Sequence, residues 1–452
     1  MQLPLSLILL SASLLHAPET VSASILKRAH ETALRHSKGL ARDLRIALKG
    51  IGEPSGALLV PRDVTPDIDA VVQKVFCVSG GKSLGGGTSS NGTSSGSKGS
   101  SSANPSATIG VPPPKATPSA SSNWNLVHSW QGKNFFDGWD FWDTADPTHG
   151  IVNYLSQSDA MSQGLASISS SGTALMKVDT TNNLSATANR ASVRITTQAS
   201  WTLGLVLMDA VHMPTGCGTW PAFWSNGPNW PAGGEIDVVE GVNDYTNNQA
   251  TIHTNPGCSI PSLTTVPANT PATNATSQGP SLDITGTLVA TTNCAAAETN
   301  NAGCGIRSND ATSYGSGFNK VNGGVYAMHW TTESISVYFF PRSSIPSDIA
   351  AGNPDPTSSA WGTPMALWPA TSCNMTTFFY DHTAIFDTTL CGDWASGVWN
   401  TAGIPGQEQS CAQRTGYATC EQFVRAEGSA FEDAYWEVNY VKVYQEKNQS
   451  SS

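Results

Sequence analysis

The chain has 452 residues, a formal net charge of −11 at pH 7, only 13% charged residues, 42 Gly and 14 Trp. The charge is uneven: residues 24–49 hold seven basic and two acidic residues, while the part from Ser122 onward holds 11 basic and 27 acidic. So acidic a body excludes nucleic acid and anionic polymers as partners and favours a neutral substrate, and the Gly-rich, charge-poor profile suits a loop-rich extracellular β protein better than a helical one.

An apolar run from Leu3 to Leu15, followed by Val21-Ser22-Ala23, predicts a signal peptide over residues 1–23. It is short for a membrane span. No Lys or Arg precedes it, which leaves an uncleaved anchor as the alternative. Residues 24–78 are expected to be a pro-segment or small accessory segment. Leu34, Arg35, Lys38, Arg42 and Arg45 show helical spacing there, and Cys77 falls near its end. Residues 79–122 are Ser, Gly, Thr and Pro with almost nothing to bury, the mark of a flexible linker. One domain then fills residues 123–446, and 447–452 form a disordered tail. No later apolar stretch approaches membrane length, so the expectation is a monomeric protein secreted to the cell wall or medium, with no membrane partner.

Within the domain, short alternating runs are bounded by Gly, Asn, Pro and Ser. Val193 and Ile195 oppose Ser192, Arg194 and Thr196. Ile335, Val337 and Phe339 share a face, as do Trp436, Val438 and Tyr440 in regular alternation. Long helical periodicity is absent. Many short antiparallel strands over such a length predict an all-β fold, a jelly-roll sandwich of two antiparallel sheets with a concave cleft. Eight of the nine Cys fall after residue 200, with no zinc-like spacing, and suggest up to four disulfides. Sequons at Asn91, Asn183, Asn274, Asn374 and Asn448 agree with a secretory route.

The sharpest feature is G-G-E-I-D-V-V-E-G, from Gly233 to Gly241. On a regular strand Glu235 and Asp237 share one face, and Glu240 falls on the apolar face with Ile236 and Val238. A charge in a core is costly. One extra residue at Val238-Val239, a β-bulge, returns Glu240 to the face of Glu235 and Asp237. Retaining glycoside cleavage needs two carboxyl groups about 5–5.5 Å apart. Four ladder steps separate the two Cα atoms by roughly 13 Å, so curvature and side-chain reach must close the gap. Asp237, between them, can hydrogen-bond the nucleophile and help keep the acid protonated. An acidic strand facing solvent, or a calcium site, is the plainer reading of the same three carboxylates. Trp224 and Trp230 crowd the motif from upstream, and His253 lies on the next expected strand, within reach of Asp237.

The stretch C-G-T-W-P-A-F-W from Cys217, with N-W-P-A-G-G-E-I-D-V-V-E-G-V-N, resembles fungal glycoside hydrolase family 16, its laminarinase-type endo-1,3(4)-β-glucanases above all. The likeness continues through F-F-D-G-W-D-F-W from Phe135, D-P-T-H-G-I-V-N-Y from Asp146, N-A-G-C-G-I from Asn301, F-F-P-R-S-S-I-P from Phe339, F-D-T-T-L-C-G-D-W from Phe386 and A-Y-W-E-V-N-Y-V-K-V-Y-Q near the end. The first 120 residues are outside it. The resemblance implies a jelly roll with an open cleft and retaining hydrolysis of a β-glucan, with Glu235 as nucleophile, Glu240 as acid/base and Asp237 assisting. It implies no cofactor; a structural calcium ion is left open. It places His253 beside the assisting Asp and Trp224 and Trp230 in the cleft, with Asn153, Arg194 and Trp394 as further substrate contacts. His329, in Y-A-M-H-W, stands where the family more usually has an acidic or amide residue. Two rival expectations remain: a glucan-binding wall module, against which the retained Glu pair argues, and a wall transglycosylase, which shares the covalent intermediate.

Overall fold

The structure, a computed structural model, describes residues 123–261, 282–289 and 291–447. The expected signal peptide, basic segment, linker and Cys77 lie outside the described residues, as do Asn91, Asn274 and Asn448. No helix among the described residues is long and apolar enough to cross a membrane.

Two large antiparallel sheets, each of eight strands, pack face to face. In the first, Ala366–Pro369, Ser334–Pro341, Gly324–Trp330, Gly204–His212, Tyr435–Glu446, Ala174–Lys177 and Ala166–Ile168 lie in order, and Trp124–Gln131 pairs with Tyr435–Glu446. In the second the order is Thr287–Leu288, Cys304–Arg307, Gln249–His253, Glu235–Glu240, Thr219–Asn226, Thr383–Leu390, Arg194–Thr197 and Trp139–Phe141. This is the jelly-roll sandwich that the alternating runs predict.

The period-2 pattern decides what faces the shared core. Val206, Met208, Met328, Ile335, Val337 and Trp436 reach it from the first sheet, and Ile195, Phe223, Ile236, Ile252 and Phe386 from the second. On the outer face of the first sheet Leu205, Leu207, Tyr338 and Phe340 form a smaller cluster under Ile349 and Trp361. Ile335 and Val337 share the core with partly buried Phe339, as the sequence predicts.

Tyr440 departs from its expected face. The register of Tyr435–Glu446 against Gly204–His212 shifts between Val438 and Tyr440. Trp436 and Val438 therefore point to the main core, followed by Val441 and Val443, while Tyr440 joins the outer cluster. His329 also stands on this side, edge-on to Trp124 with ring centroids 5.4 Å apart, and burial lowers its pKa to about 4.

The eight late Cys form four disulfides: Cys217–Cys411, Cys258–Cys373, Cys294–Cys304 and Cys391–Cys420. Asn183 and Asn374 are both exposed.

Candidate active site

The motif Glu235–Glu240 forms a central strand of the second sheet, flanked by Thr219–Asn226 and Gln249–His253. Two glycines frame it. Gly234, at φ +78°, lies where a Cβ would strike Phe379, and a Cβ on Gly241 would strike the Tyr314 ring. Along the strand, Asp237 pairs with Trp224 but Val239 pairs with Phe223, so one residue, Val238, is extra. The bulge expected from the parity of Glu240 is present. Ile236, Val238 and Val239 are all buried in the core, and the three carboxylates share the outer face.

Cross-strand pairing arranges that face in three rows. The first holds Thr383, Asn226, Glu235 and His253, and the second Ile385, Trp224, Asp237 and Thr251. The third holds Arg194, Asp387, Ala222 and Glu240. Ala222, with its single methyl, is the residue between Asp387 and Glu240 in that row.

Each outer carboxylate meets an indole. Trp230 donates its N–H to Glu235 Oε2, and Trp220 donates its N–H to Glu240 Oε1 at 2.8 Å. Asp237 is 2% exposed. Burial, then the charge of Glu235 and a hydrogen bond with it, push its pKa well above the carboxylate range. The shift favours a protonated Asp237 facing the Glu235 carboxylate. His253 Nε2 lies 3.3 Å from Asp237 Oδ2, diagonally across the sheet. Glu240 is raised well above its usual value, first by burial and then by Asp237, with Trp220 partly offsetting the rise. A shift in that direction favours the protonated form that a general acid needs.

The other expected residues divide. Arg194, 3% exposed, lies between two indole rings, 4.6 Å from the Trp142 centroid and 5.3 Å from Trp224. Trp224 donates its N–H to Asp387 Oδ2 at 3.0 Å. Trp394, on the short helix Gly392–Gly397, meets Trp220 edge-to-face at 5.8 Å and so stands against the Glu240 end of the face. Asn153 is exposed on a strand of the separate two-stranded sheet, opposite Ala191.

Sequence reasoning missed Asp387, Trp220 and Trp142. Burial raises the Asp387 pKa to about 7, against the opposing pull of Arg194. Its sequence signal was an acid among apolar and Thr residues in F-D-T-T, which alternation puts opposite Phe386. The ligand atoms of Glu235, Asp237 and His253 lie within 4.8 Å of one another and could converge on a cation. In Cys217, Asp244 and Cys411, the other such group among the described residues, the sulfurs are joined as a disulfide and offer no thiolate.

Residues 139–444 match the family model described as XgeA-like, catalytic GH16 domain. The chain belongs to glycoside hydrolase family 16. Among relatives of the chain, a protein of Aspergillus niger named "Probable endo-1,3(4)-beta-glucanase" is 42% identical over 330 residues, covering 73% of this chain and 41% of its own length. One of Schizosaccharomyces pombe named "Probable glycosidase" is 40% identical over 328 residues, covering 72% of this chain and 70% of the relative. The chain spans about half the length, or less, of several of these relatives.

Two solved family 16 structures superpose with a TM-score of 0.60 each. One, described as an elongating GH family 16 beta-1,3-glucosyltransferase, is 39% identical and covers 71% of this chain and 100% of its own. The other, Laminarinase 16A from Phanerochaete chrysosporium with 6-O-glucosyl-laminaritriose in donor and acceptor sites, is 37% identical and covers 71% and 99%.

Proposed function

We propose that the chain cleaves β-1,3-glucan chains internally with retention, accepting mixed 1,3-1,4 chains as well. Glu235 is the nucleophile and Glu240 the acid/base. The carboxylate of Glu235 attacks the anomeric carbon while Glu240 gives its proton to the departing glycosidic oxygen. In the second step Glu240, now ionised, takes a proton from the water that attacks the glycosyl–Glu235 ester. Asp237 keeps its own proton and steadies the Glu235 carboxylate by a hydrogen bond.

The observation that carries this reading is the bulge. It turns a strand that would bury Glu240 into one whose three carboxyls share a face, with burial favouring the protonated form of Glu240. Trp224, Trp230 and Trp394 would bind the glucan along that face, with buried Arg194 steadying Trp224 by stacking, His253 steadying Asp237 and Asn153 at the margin. An acidic body fits an uncharged polysaccharide. Four disulfides support an extracellular site of action, with residues 1–23 as signal peptide and 79–122 as linker.

Release of reducing ends from laminarin tests the proposal. It predicts turnover by wild type and loss of at least about 10³-fold in Glu235→Gln. Equal rates for the two would overturn it. Transglycosylation is a second reading, favoured by the likeness to the elongating glucosyltransferase. Product sizing at high laminari-oligosaccharide concentration separates the two, because only transfer makes chains longer than the substrate.

A further inference from the structure

Past Asp237 the strand Glu235–Glu240 leaves one of its neighbours. Its pairing with Gln249–His253 covers Glu235, Ile236 and Asp237. Val238, Val239 and Glu240 follow the other neighbour alone, and the bulge falls there too. The backbone that aims Glu240 is therefore the part of the strand with least ladder support. Unpaired buried peptide groups are strongly disfavoured, and Val238 and Val239 are buried at 2% and 0% exposure.

One side chain fills the gap. Asn248, the residue before the neighbouring strand begins, donates from Nδ2 to the Val238 carbonyl at 2.8 Å. Its Oδ1 accepts the Glu240 N–H at 2.9 Å. A single carboxamide thus supplies the donor and the acceptor that the peptides of a continuing neighbour strand would supply. Asn248 is itself wholly buried. Its N–H donates to Ser313 Oγ at 2.9 Å, and its carbonyl accepts the Ser308 N–H at 2.8 Å. Ser313 Oγ in turn donates to the Asp310 carbonyl at 2.6 Å. The amide is held from behind and reaches across to the bulge.

We propose that Asn248 is a positioning residue for Glu240: it stands in for the missing strand and fixes the backbone from which the acid/base carboxyl projects. This rests on the reading of Glu240 as acid/base. The requirement is specific. Ala offers neither group, and an ionised Asp offers no donor. A protonated Asp offers both, with the hydroxyl toward Val238 and the carbonyl toward Glu240.

The test compares Asn248→Ala, Asn248→Asp and Glu240→Ala with wild type. The substrates are laminarin and an activated dinitrophenyl β-laminaribioside, whose leaving group departs without a proton. For Asn248→Ala we expect kcat on laminarin to fall by about 10²-fold, the effect of a misplaced catalytic group, with KM within about twofold. On the activated substrate kcat/KM stays within a few-fold of wild type. Asn248→Asp approaches wild type at acid pH and loses activity as its carboxyl ionises, so its profile descends at lower pH than the wild-type profile. It carries the test if the Ala variant does not fold. Equal losses by Asn248→Ala on both substrates, or a wild-type pH profile in Asn248→Asp, overturn the proposal. Glu240→Ala is the control for the underlying reading. If it too loses equally on both substrates, the acid/base assignment of Glu240 fails, and the role of Asn248 falls with it.

Discussion

Trp220→Phe isolates one force on the proposed acid/base. The indole N–H of Trp220 donates to Glu240 Oε1 at 2.8 Å and opposes the rise in pKa that burial imposes. A hydrogen bond to a charged group contributes about 1.5–3 kcal/mol, and one pH unit corresponds to about 1.4 kcal/mol. The bond favours ionised Glu240, so its loss favours the protonated form and lifts the pKa by about 1–2 units. The descending alkaline limb of kcat/KM should move to higher pH by about that amount, because the acid form persists further. The assay is initial rate against pH on laminarin at substrate far below KM. Trp394→Phe is the control: Trp394 packs on Trp220 at 5.8 Å without bonding to Glu240, so it should alter rates and leave the limb in place. An alkaline limb that stays put or moves to lower pH in Trp220→Phe would refute the reasoning.

Other outcomes follow from neighbouring parts of the molecule. Asp387 has its pKa raised from 3.8 to about 7 by burial. The folded state then binds the extra proton between those values, so this group lowers stability as pH rises through that window; Asp387→Asn should flatten the decline, seen as a shallower fall of melting temperature between pH 4 and pH 7. The disulfide Cys217–Cys411 closes 194 residues just before the strand that carries Trp220 and Trp224. Replacing both cysteines by Ser should lower unfolding free energy by about 2–5 kcal/mol in a urea titration, and an unchanged midpoint would argue that the tie contributes nothing.

Much of this site was legible because its charges conflict with a simple pattern. Glu240 at the wrong parity demanded a bulge, since a carboxylate in the core is expensive, and the register shift lies at Val238. Tyr440 sat beside a second bulge and gave no warning. Tyrosine tolerates either face, so regular alternation through Trp436, Val438 and Tyr440 was free of conflict, and the inferred face was wrong. Asp387 was hidden for another reason. It reaches Trp224 and the row of Glu240 only through pairing of Thr383–Leu390 with Thr219–Asn226, and separation along the chain carries no trace of that register. Asn248 is harder still to read: its role exists only where two strands part.

In the proposed mechanism Glu235 forms the covalent bond, and Glu240 supplies and recovers the proton. A 2-deoxy-2-fluoro-laminaribiosyl donor with a good leaving group slows breakdown of the glycosyl-enzyme, and peptide mass mapping locates the sugar. The expected result is stoichiometric labelling of the peptide containing Gly233 to Gly241, with fragmentation assigning the mass to Glu235 and no label in Glu235→Gln. Label on Glu240 or Asp237, or a labelled Glu235→Gln protein, would contradict it.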